Sequence, residues 1–151
     1  MTLSLLDLAR LDYKTTRAAD ELNVRLQTLL ALPHRYGPAR LAIGRSLGVA
    51  SMPELDLNHM GYGKTIKGEQ LFGHGTELAA WVSLIIEHAG RDDWDRREFQ
   101  ALVAAHWQRG ITFLWEDWKA AGKDFDAFVA RLVRHSERHG EGRRLSSGAA
   151  S

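Results

Sequence analysis

The stretch from Asp95 to Trp118 constrains the fold most, because it is apolar around most of a helical circumference. One set of side chains recurs at three- and four-residue steps, the spacing that keeps them on one helical face: Phe99, Leu102, Val103, His106, Gly110, Phe113 and Leu114. A second apolar stripe lies beside the first and consists of Trp107, Ile111, Trp115 and Trp118. Such a helix must be covered from two sides, so the sequence predicts that the rest of the chain packs around it.

Three residues of this stretch carry more specific predictions. Asp95 and Glu98 stand three residues apart, the capping-box spacing that starts a helix. Gly110 costs roughly 1 kcal/mol relative to alanine inside a helix, so it indicates either a break or the close approach of another backbone. The apolar periodicity continues through Gly110 without a change of phase, which favours close approach. His106 lies on the apolar face and is interpreted as a hydrogen-bonded core residue.

Composition limits the class of protein. The chain has 151 residues, 44% hydrophobic and 26% charged, as expected of one globular domain. No run approaches the roughly 18 apolar residues of a membrane span, and the N-terminus lacks the positive charge of a signal peptide. The absence of cysteine excludes disulfides and Cys-ligated metals, and we predict a cytoplasmic protein. With a net charge of +1, binding to nucleic acid requires a local basic patch.

Helical periodicity and glycine or proline punctuation predict a mainly α fold. We assign residues 1–139 to a single helical domain and residues 140–151 to a disordered tail. Helices are predicted at about residues 16–32, 38–47, 76–89, 95–121 and from 124 onward. The glycine-rich middle is predicted to be irregular, with a short strand or hairpin in Thr65–Phe72.

The N-terminal region is predicted to begin with a strand, because polar and β-forming side chains alternate over Arg10–Thr16. A single strand leaves its backbone groups unpaired. We therefore expect a strand from a second copy to pair with it, as in ribbon-helix-helix DNA-binding proteins. This expectation, together with the very apolar central helix, predicts a homo-oligomer.

Several patterns approach catalytic or metal motifs without completing them. Gly61–Thr65 ends like a P-loop, but Asn58 stands where the first glycine of that motif belongs. His135 and His139 have ligand spacing but no evident third ligand, and we interpret them as exposed. No serine lies in a nucleophile elbow, and Glu116–Asp117 is interpreted as a solvated helix end. We therefore predict no catalytic residue, cofactor or metal, and a protein that is not an enzyme.

Basic residues beside turns and helix ends form the candidate binding site. Contact with a phosphate requires charge and reach but little further geometry. The predicted DNA-binding residues are Lys14, Arg17, Arg40, Arg45, Lys64 and Lys67.

The order of motifs resembles the small E component of the Dnd system. The resemblance spans residues 10 to 118 and is carried by Ala39–Leu47 (ARLAIGRSL), Gly63–Phe72 (GKTIKGEQLF) and His106–Leu114, with its H-x-x-R-G-I core. That family works in bacterial DNA phosphorothioation, in which sulfur replaces a non-bridging oxygen of the DNA backbone. The resemblance implies a compact helical component that contacts DNA phosphates, self-associates and binds other proteins of the modification complex.

The alternative is a protein-only scaffold of a bacterial defence complex, without direct contact to DNA. In that interpretation the assembly surface includes the tryptophans Trp94, Trp107, Trp115 and Trp118.

Overall fold

The computed structural model describes residues 3–57 and 61–149, and beyond residue 137 it describes the backbone alone. The mainly α prediction is confirmed. The elements in chain order are α1 Leu5–Arg10, β1 Asp12–Tyr13, α2 Arg17–Leu29, α3 Tyr36–Leu47, β2 Ile66–Lys67, α4 Gly68–Phe72, α5 Gly75–Ala89, α6 Arg96–Ala120 and α7 Phe125–Ala149. None of these helices is both long and apolar enough to cross a membrane.

Helix α6 is the centre of the molecule, as the sequence predicts. The Asp95 carboxylate caps it and accepts a hydrogen bond from the Glu98 amide at 2.7 Å. Its buried side chains contact elements on several sides, and α3 packs against it more extensively than any other helix does.

At Gly110 the backbone of α3 lies directly against α6. A Cβ atom placed on Gly110 would overlap the carbonyl group of Ala42 and lie 2.9 Å from the Ala42 Cα. Close approach is therefore confirmed, and α3 supplies the approaching backbone. Any side chain at position 110 would force the two helices apart.

The expected pairing of the N-terminal strand with a second copy is wrong. Strand β1 pairs antiparallel with β2 of the same chain, Asp12 opposite Lys67 and Tyr13 opposite Ile66. Burial of the Tyr13 and Ile66 side chains in the core explains why the partner strand comes from within the chain. The backbone groups of β1 therefore supply no argument for a dimer, and this is not a ribbon-helix-helix start.

Two short helices were not predicted. Helix α1 begins at a capping box, in which the Asp7 amide donates to Ser4 Oγ at 3.1 Å and the Ser4 amide donates to Asp7 Oδ2 at 3.2 Å. The Ser4–Asp7 spacing is the signal that could have located it. In the glycine-rich middle, β2 leads directly into α4, so this region contributes one strand and a helix instead of a hairpin.

The tryptophans belong mainly to the core. Trp94, Trp107 and Trp118 are 2%, 0% and 5% exposed, and only Trp115 is half-buried. An assembly surface built from all four is therefore wrong, because three of them are covered by the chain itself.

The C-terminal helix extends beyond the predicted domain boundary. Helix α7 continues through residues 140–149, which belong to the predicted disordered tail of residues 140–151. Glutamate and arginine in this segment are good helix formers, which is compatible with its helical backbone.

Candidate nucleic-acid interface

The two-stranded ribbon formed by β1 and β2 has a buried and an exposed face. Tyr13 and Ile66 lie on the buried face, where the Tyr13 hydroxyl donates to the Leu8 carbonyl at 3.3 Å. Side chains alternate along a strand, so Lys67 lies on the opposite, exposed face, and Lys14, the residue that follows β1, is exposed as well. Two of the six predicted DNA-binding residues are thereby brought to one surface.

Arg17 and Lys64 lie beside this ribbon at the start of α2. Thr16 caps α2 by accepting a hydrogen bond from the Ala19 amide at 3.2 Å, so Arg17 is the first helical residue. The Lys64 amide donates to Asp20 Oδ2 at 3.4 Å, one helical turn after Arg17. These contacts bring Lys64 to the first turns of α2, which Arg17 begins.

The negative charge of Asp20 is already paired. Its Oδ1 atom lies 2.6 Å from Nη2 of Arg35, and both side chains are largely buried. Asp20 therefore has less capacity to neutralise Arg17 and Lys64. Asp12 is different, since it is exposed opposite Lys67 and reduces the positive potential at that point.

We call the set formed by Lys14, Arg17, Lys64 and Lys67 the basic ribbon face. All four side chains are exposed. Within the part of the chain that the structure describes, the charged side-chain group of each of them donates no hydrogen bond and forms no ion pair. Their charges are free to meet an external anion.

Arg40, which the sequence also assigns to DNA binding, is used inside the protein. Its Nε donates to the Leu71 carbonyl at 2.6 Å, its Nη2 donates to the Gln70 carbonyl at 3.0 Å, and its Nη1 lies 3.5 Å from the Glu77 carboxylate. These contacts tie α3 to α4 and α5. Arg40 differs from the predicted DNA-binding residues without internal partners, because its guanidinium is bound within the protein.

Arg45, the sixth predicted residue, belongs to a cluster around the buried Asp117. Asp117 Oδ2 lies 2.9 Å from Nε of Arg45, while Oδ1 lies 2.8 Å from Nε of Arg131 and 3.2 Å from Nε2 of His135. Burial by itself would raise the pKa of Asp117, but the hydrogen bonds from Arg45 and Arg131 hold it below its ordinary value. The cluster fastens α7 to α3 and α6.

The interpretation of Asp117 as solvated is wrong, because the carboxylate is only 1% exposed. Its position next to Trp118 and three residues after Leu114 puts it on the apolar stripe, and this was the available signal. His135 is also not an exposed histidine, since it contacts Asp117 and is half-buried. The side chain of His139 lies outside the described part of the structure.

The H-x-x-R-G core of α6 forms a second buried polar cluster. Arg109 donates from Nε to Ser46 Oγ at 2.8 Å and from Nη2 to the Ser46 carbonyl at 2.8 Å. Ser46 Oγ also lies 2.8 Å from Nδ1 of His106. Since Ser46 Oγ accepts from Arg109, its hydroxyl hydrogen is available to His106. The motif thus binds the end of α3 to α6.

This serine–histidine pair cannot act on a substrate, because both side chains are fully buried. Burial, followed by the nearby charges of His88 and Arg109, lowers the pKa of His106 to about 3. His106 is therefore neutral at physiological pH, and its interpretation as a hydrogen-bonded core residue is confirmed.

The P-loop-like sequence has a packing role in this fold. A Cβ atom on Gly63 would lie 2.8 Å from Cβ of Asp20, so the segment runs too close to α2 for a side chain there. A strand follows Thr65, whereas a P-loop requires a helix at that point. Among the described residues, no group of three His, Asp or Glu side chains could hold a metal ion.

Comparison with known proteins identifies no family or function for this chain. No family model matches the chain, and no curated protein or solved structure is significantly similar to it.

Proposed function

We propose that this chain is a non-catalytic component that binds the DNA phosphate backbone through its basic ribbon face. In this proposal it acts in the assembly of a DNA sulfur-modification complex, the role implied by the family that its motifs resemble. One observation carries the DNA-binding part. Four exposed cationic side chains without an internal partner in the described structure come from separate segments: one directly follows β1, one starts α2, and two lie on either side of Ile66.

The chemistry of these residues suits phosphates better than bases. Lysine provides a mobile point charge that follows a backbone without fixing a base pattern. The ribbon has only two residues in each strand, and one position of its outer face is the carboxylate of Asp12, so it offers few side chains that could read bases in a groove. Binding through this face would therefore be independent of sequence.

The charge of the whole chain limits the affinity of one copy. A net charge of +1 gives little long-range attraction to DNA, so the few local contacts must supply the binding free energy. We therefore expect weak binding by a single subunit and stronger binding when several copies or partner proteins act together. The Dnd resemblance supports such assembly, whereas pairing of β1 no longer does.

The two polar clusters, around Ser46 and around Asp117, face the interior of the protein, which supports a non-catalytic role. Ser46 and His106 are covered by α3 and α6, and Asp117 is neutralised by two arginines. Each cluster joins helices of this chain.

The test is a titration of fluorescent duplex, nicked and single-stranded DNA at low salt. A variant combining Lys14→Glu and Lys67→Glu should bind about 10-fold more weakly or worse, because two phosphate contacts become repulsive. Equal binding by wild type and variant would contradict the assignment of this face.

A matched control is charge reversal at Lys119, which is 47% exposed at the end of α6. The Gln100 amide donates to the Asp12 carbonyl at 2.8 Å, which fixes that part of α6 beside the ribbon. Lys119 lies nineteen residues further along, roughly 28 Å at 1.5 Å per residue. Lys119→Glu should leave DNA affinity within about 2-fold, because it lies beyond the screening length of about 10 Å.

A protein-only scaffold is the second candidate, and helix α7 favours it. Phe125, Val129 and Val133 recur at four-residue steps and are 55%, 40% and 51% exposed. Such an apolar stripe is typical of protein interaction surfaces. Absence of binding to every DNA form at low salt, both alone and with partner proteins, would favour this candidate.

A further inference from the structure

A groove between α3, α5 and α7 has the size of a small-molecule site. Its volume is about 630 Å³, within the roughly 300–1,000 Å³ that is usual for such sites. Gly44 of α3 and Gly48, which directly follows α3, contribute no side chain to it. The walls are apolar and are formed by Leu41, Val49, Trp81, Leu114 and Leu132.

The groove also has cationic and polar lining residues, which are Arg40, Arg45, His135 and Ser136. Nε of Arg45 is bound to the Asp117 carboxylate. Nη2 of Arg45 lies 3.3 Å from Nε2 of His135, but this ring nitrogen is also 3.2 Å from Asp117 Oδ1. With the His135 nitrogen donating its hydrogen to Asp117, it offers no acceptor to Arg45.

The guanidinium of Arg45 therefore has donors to spare. Within the described structure its Nη1 contacts no acceptor. The cluster also carries an excess of positive charge, because Arg45 and Arg131 share the single carboxylate of Asp117. An arginine that has unused donors and lies in an excess of positive charge favours a planar anion that can accept two parallel hydrogen bonds.

We propose that this groove binds a small amphiphilic carboxylate, with its carboxylate group on Arg45 and its apolar chain against Trp81 and the leucines. The apolar walls exclude a polar metabolite of this size, and the free guanidinium nitrogens favour an acid over a neutral lipid. This binding site is separate from the basic ribbon face and does not depend on DNA binding.

The test compares octanoate with 1-octanol by isothermal titration calorimetry. The two probes share an eight-carbon chain and differ in the charged head. We expect octanoate to bind with a Kd on the order of 100 µM, as suits a ligand of this size. The alcohol should bind about 10-fold more weakly or worse, because it loses the charge-assisted hydrogen bonds. Equal affinity for both probes, or no binding of octanoate, would overturn the proposal.

Gly44 provides a variant that fills the groove and preserves the fold. A Cβ atom on Gly44 meets only Cη2 of Trp81, at 3.9 Å, so a side chain there can enter the groove without a clash. Gly44→Leu should abolish octanoate binding, whereas Gly44→Ala, the matched control with little added volume, should retain it. Both variants should melt at or above the wild-type temperature, because glycine is unfavourable inside a helix.

Two outcomes with Gly44→Leu would overturn the proposal. One is unchanged octanoate affinity, which would place the ligand elsewhere. The other is conversion of a stable wild-type dimer to a monomer in sedimentation, with no effect of octanoate, which would make the groove a contact between copies. DNA binding should be unaffected in either Gly44 variant.

Discussion

The H-x-x-R-G core of α6 and the basic ribbon face both carry basic residues, but the chain uses them in opposite ways. Arg109 is bound to the Ser46 carbonyl and hydroxyl and to the Ser51 carbonyl, at 2.8, 2.8 and 2.7 Å. The side chains of Lys14 and Lys67 are exposed and have no hydrogen bond or ion pair within the described structure. The most distinctive sequence motif therefore stabilises the fold, and the less distinctive lysines are the residues available for binding.

This contrast shows that the most distinctive motif of the chain reports on how its helices pack. His106, Arg109 and Gly110 determine how α3 packs on α6, so they carry information about the fold. The residues of the basic ribbon face, which are proposed to contact DNA, have no distinctive spacing in the sequence. Their role depends on their exposure in the fold. The variants below should separate the two regions, since one set should change stability and the other DNA affinity.

The largest effect on stability is expected at Gly110. Gly110→Ala should lower the free energy of unfolding by about 2–3 kcal/mol, because the added Cβ overlaps the Ala42 backbone, which cannot move as a side chain can. Chemical denaturation measures the change. Gly44→Ala on α3, where space is open, is the matched control and should be neutral or stabilising by up to about 1 kcal/mol. Equal stability of the two variants would contradict the close contact of α3 and α6.

An effect that is close to zero at neutral pH and grows as the pH falls is expected at His106. The folded state keeps His106 neutral down to about pH 3, whereas the unfolded chain takes up a proton below about pH 6.5. Between these values the unfolded state binds more protons, so this histidine lowers stability as the pH falls, by up to about 1.4 kcal/mol per pH unit. His106→Asn retains an acceptor for Ser46 but removes the titration. Its stability should depend less steeply on pH between 6.5 and 4, and parallel curves for wild type and variant would contradict the burial of a neutral imidazole.

The smallest effect on stability is expected on the basic ribbon face. Lys14→Gln and Lys67→Gln should change the free energy of unfolding by less than about 0.5 kcal/mol, because neither side chain has a described partner. Arg35→Gln is the contrasting variant, because Arg35 is paired with Asp20 at 2.6 Å. Its loss should lower the free energy of unfolding by about 1 kcal/mol. Thermal unfolding compares them. A large loss at Lys14 or Lys67 would mean that these side chains serve the fold.

Periodicity and caps were sufficient to predict the main helices. Thr16 and Asp95 start α2 and α6 as the sequence indicates, and Gly110 marks a close contact. These features are local, or they depend on one face of one helix. The partner of that contact, Ala42, could not be read from the sequence, because helix periodicity shows that a face is buried and does not show what covers it.

The predictions that failed depend on long-range pairing. Strand β1 pairs with a segment more than fifty residues away that has only two residues in strand conformation and no period-two signal of its own. The fold also shows which basic side chains have internal acceptors, as Arg40 and Arg45 do, but the assignment of these two residues to DNA binding stays a prediction. The burial of Asp117, in contrast, could have been predicted from the local sequence, because Asp117 lies between apolar positions of α6.

The most direct test of DNA-backbone binding is the salt dependence of duplex affinity, measured for wild type and for a variant with glutamine at all four positions of the basic ribbon face. Each neutralised phosphate contributes a slope of about 0.9 in log affinity against log salt, so four contacts predict roughly 3 to 4 per subunit. In the variant the slope should fall close to zero, while its unfolding free energy stays near that of the wild type. A slope that is unchanged in the variant, or a wild type that binds no DNA at low salt, would contradict the proposal.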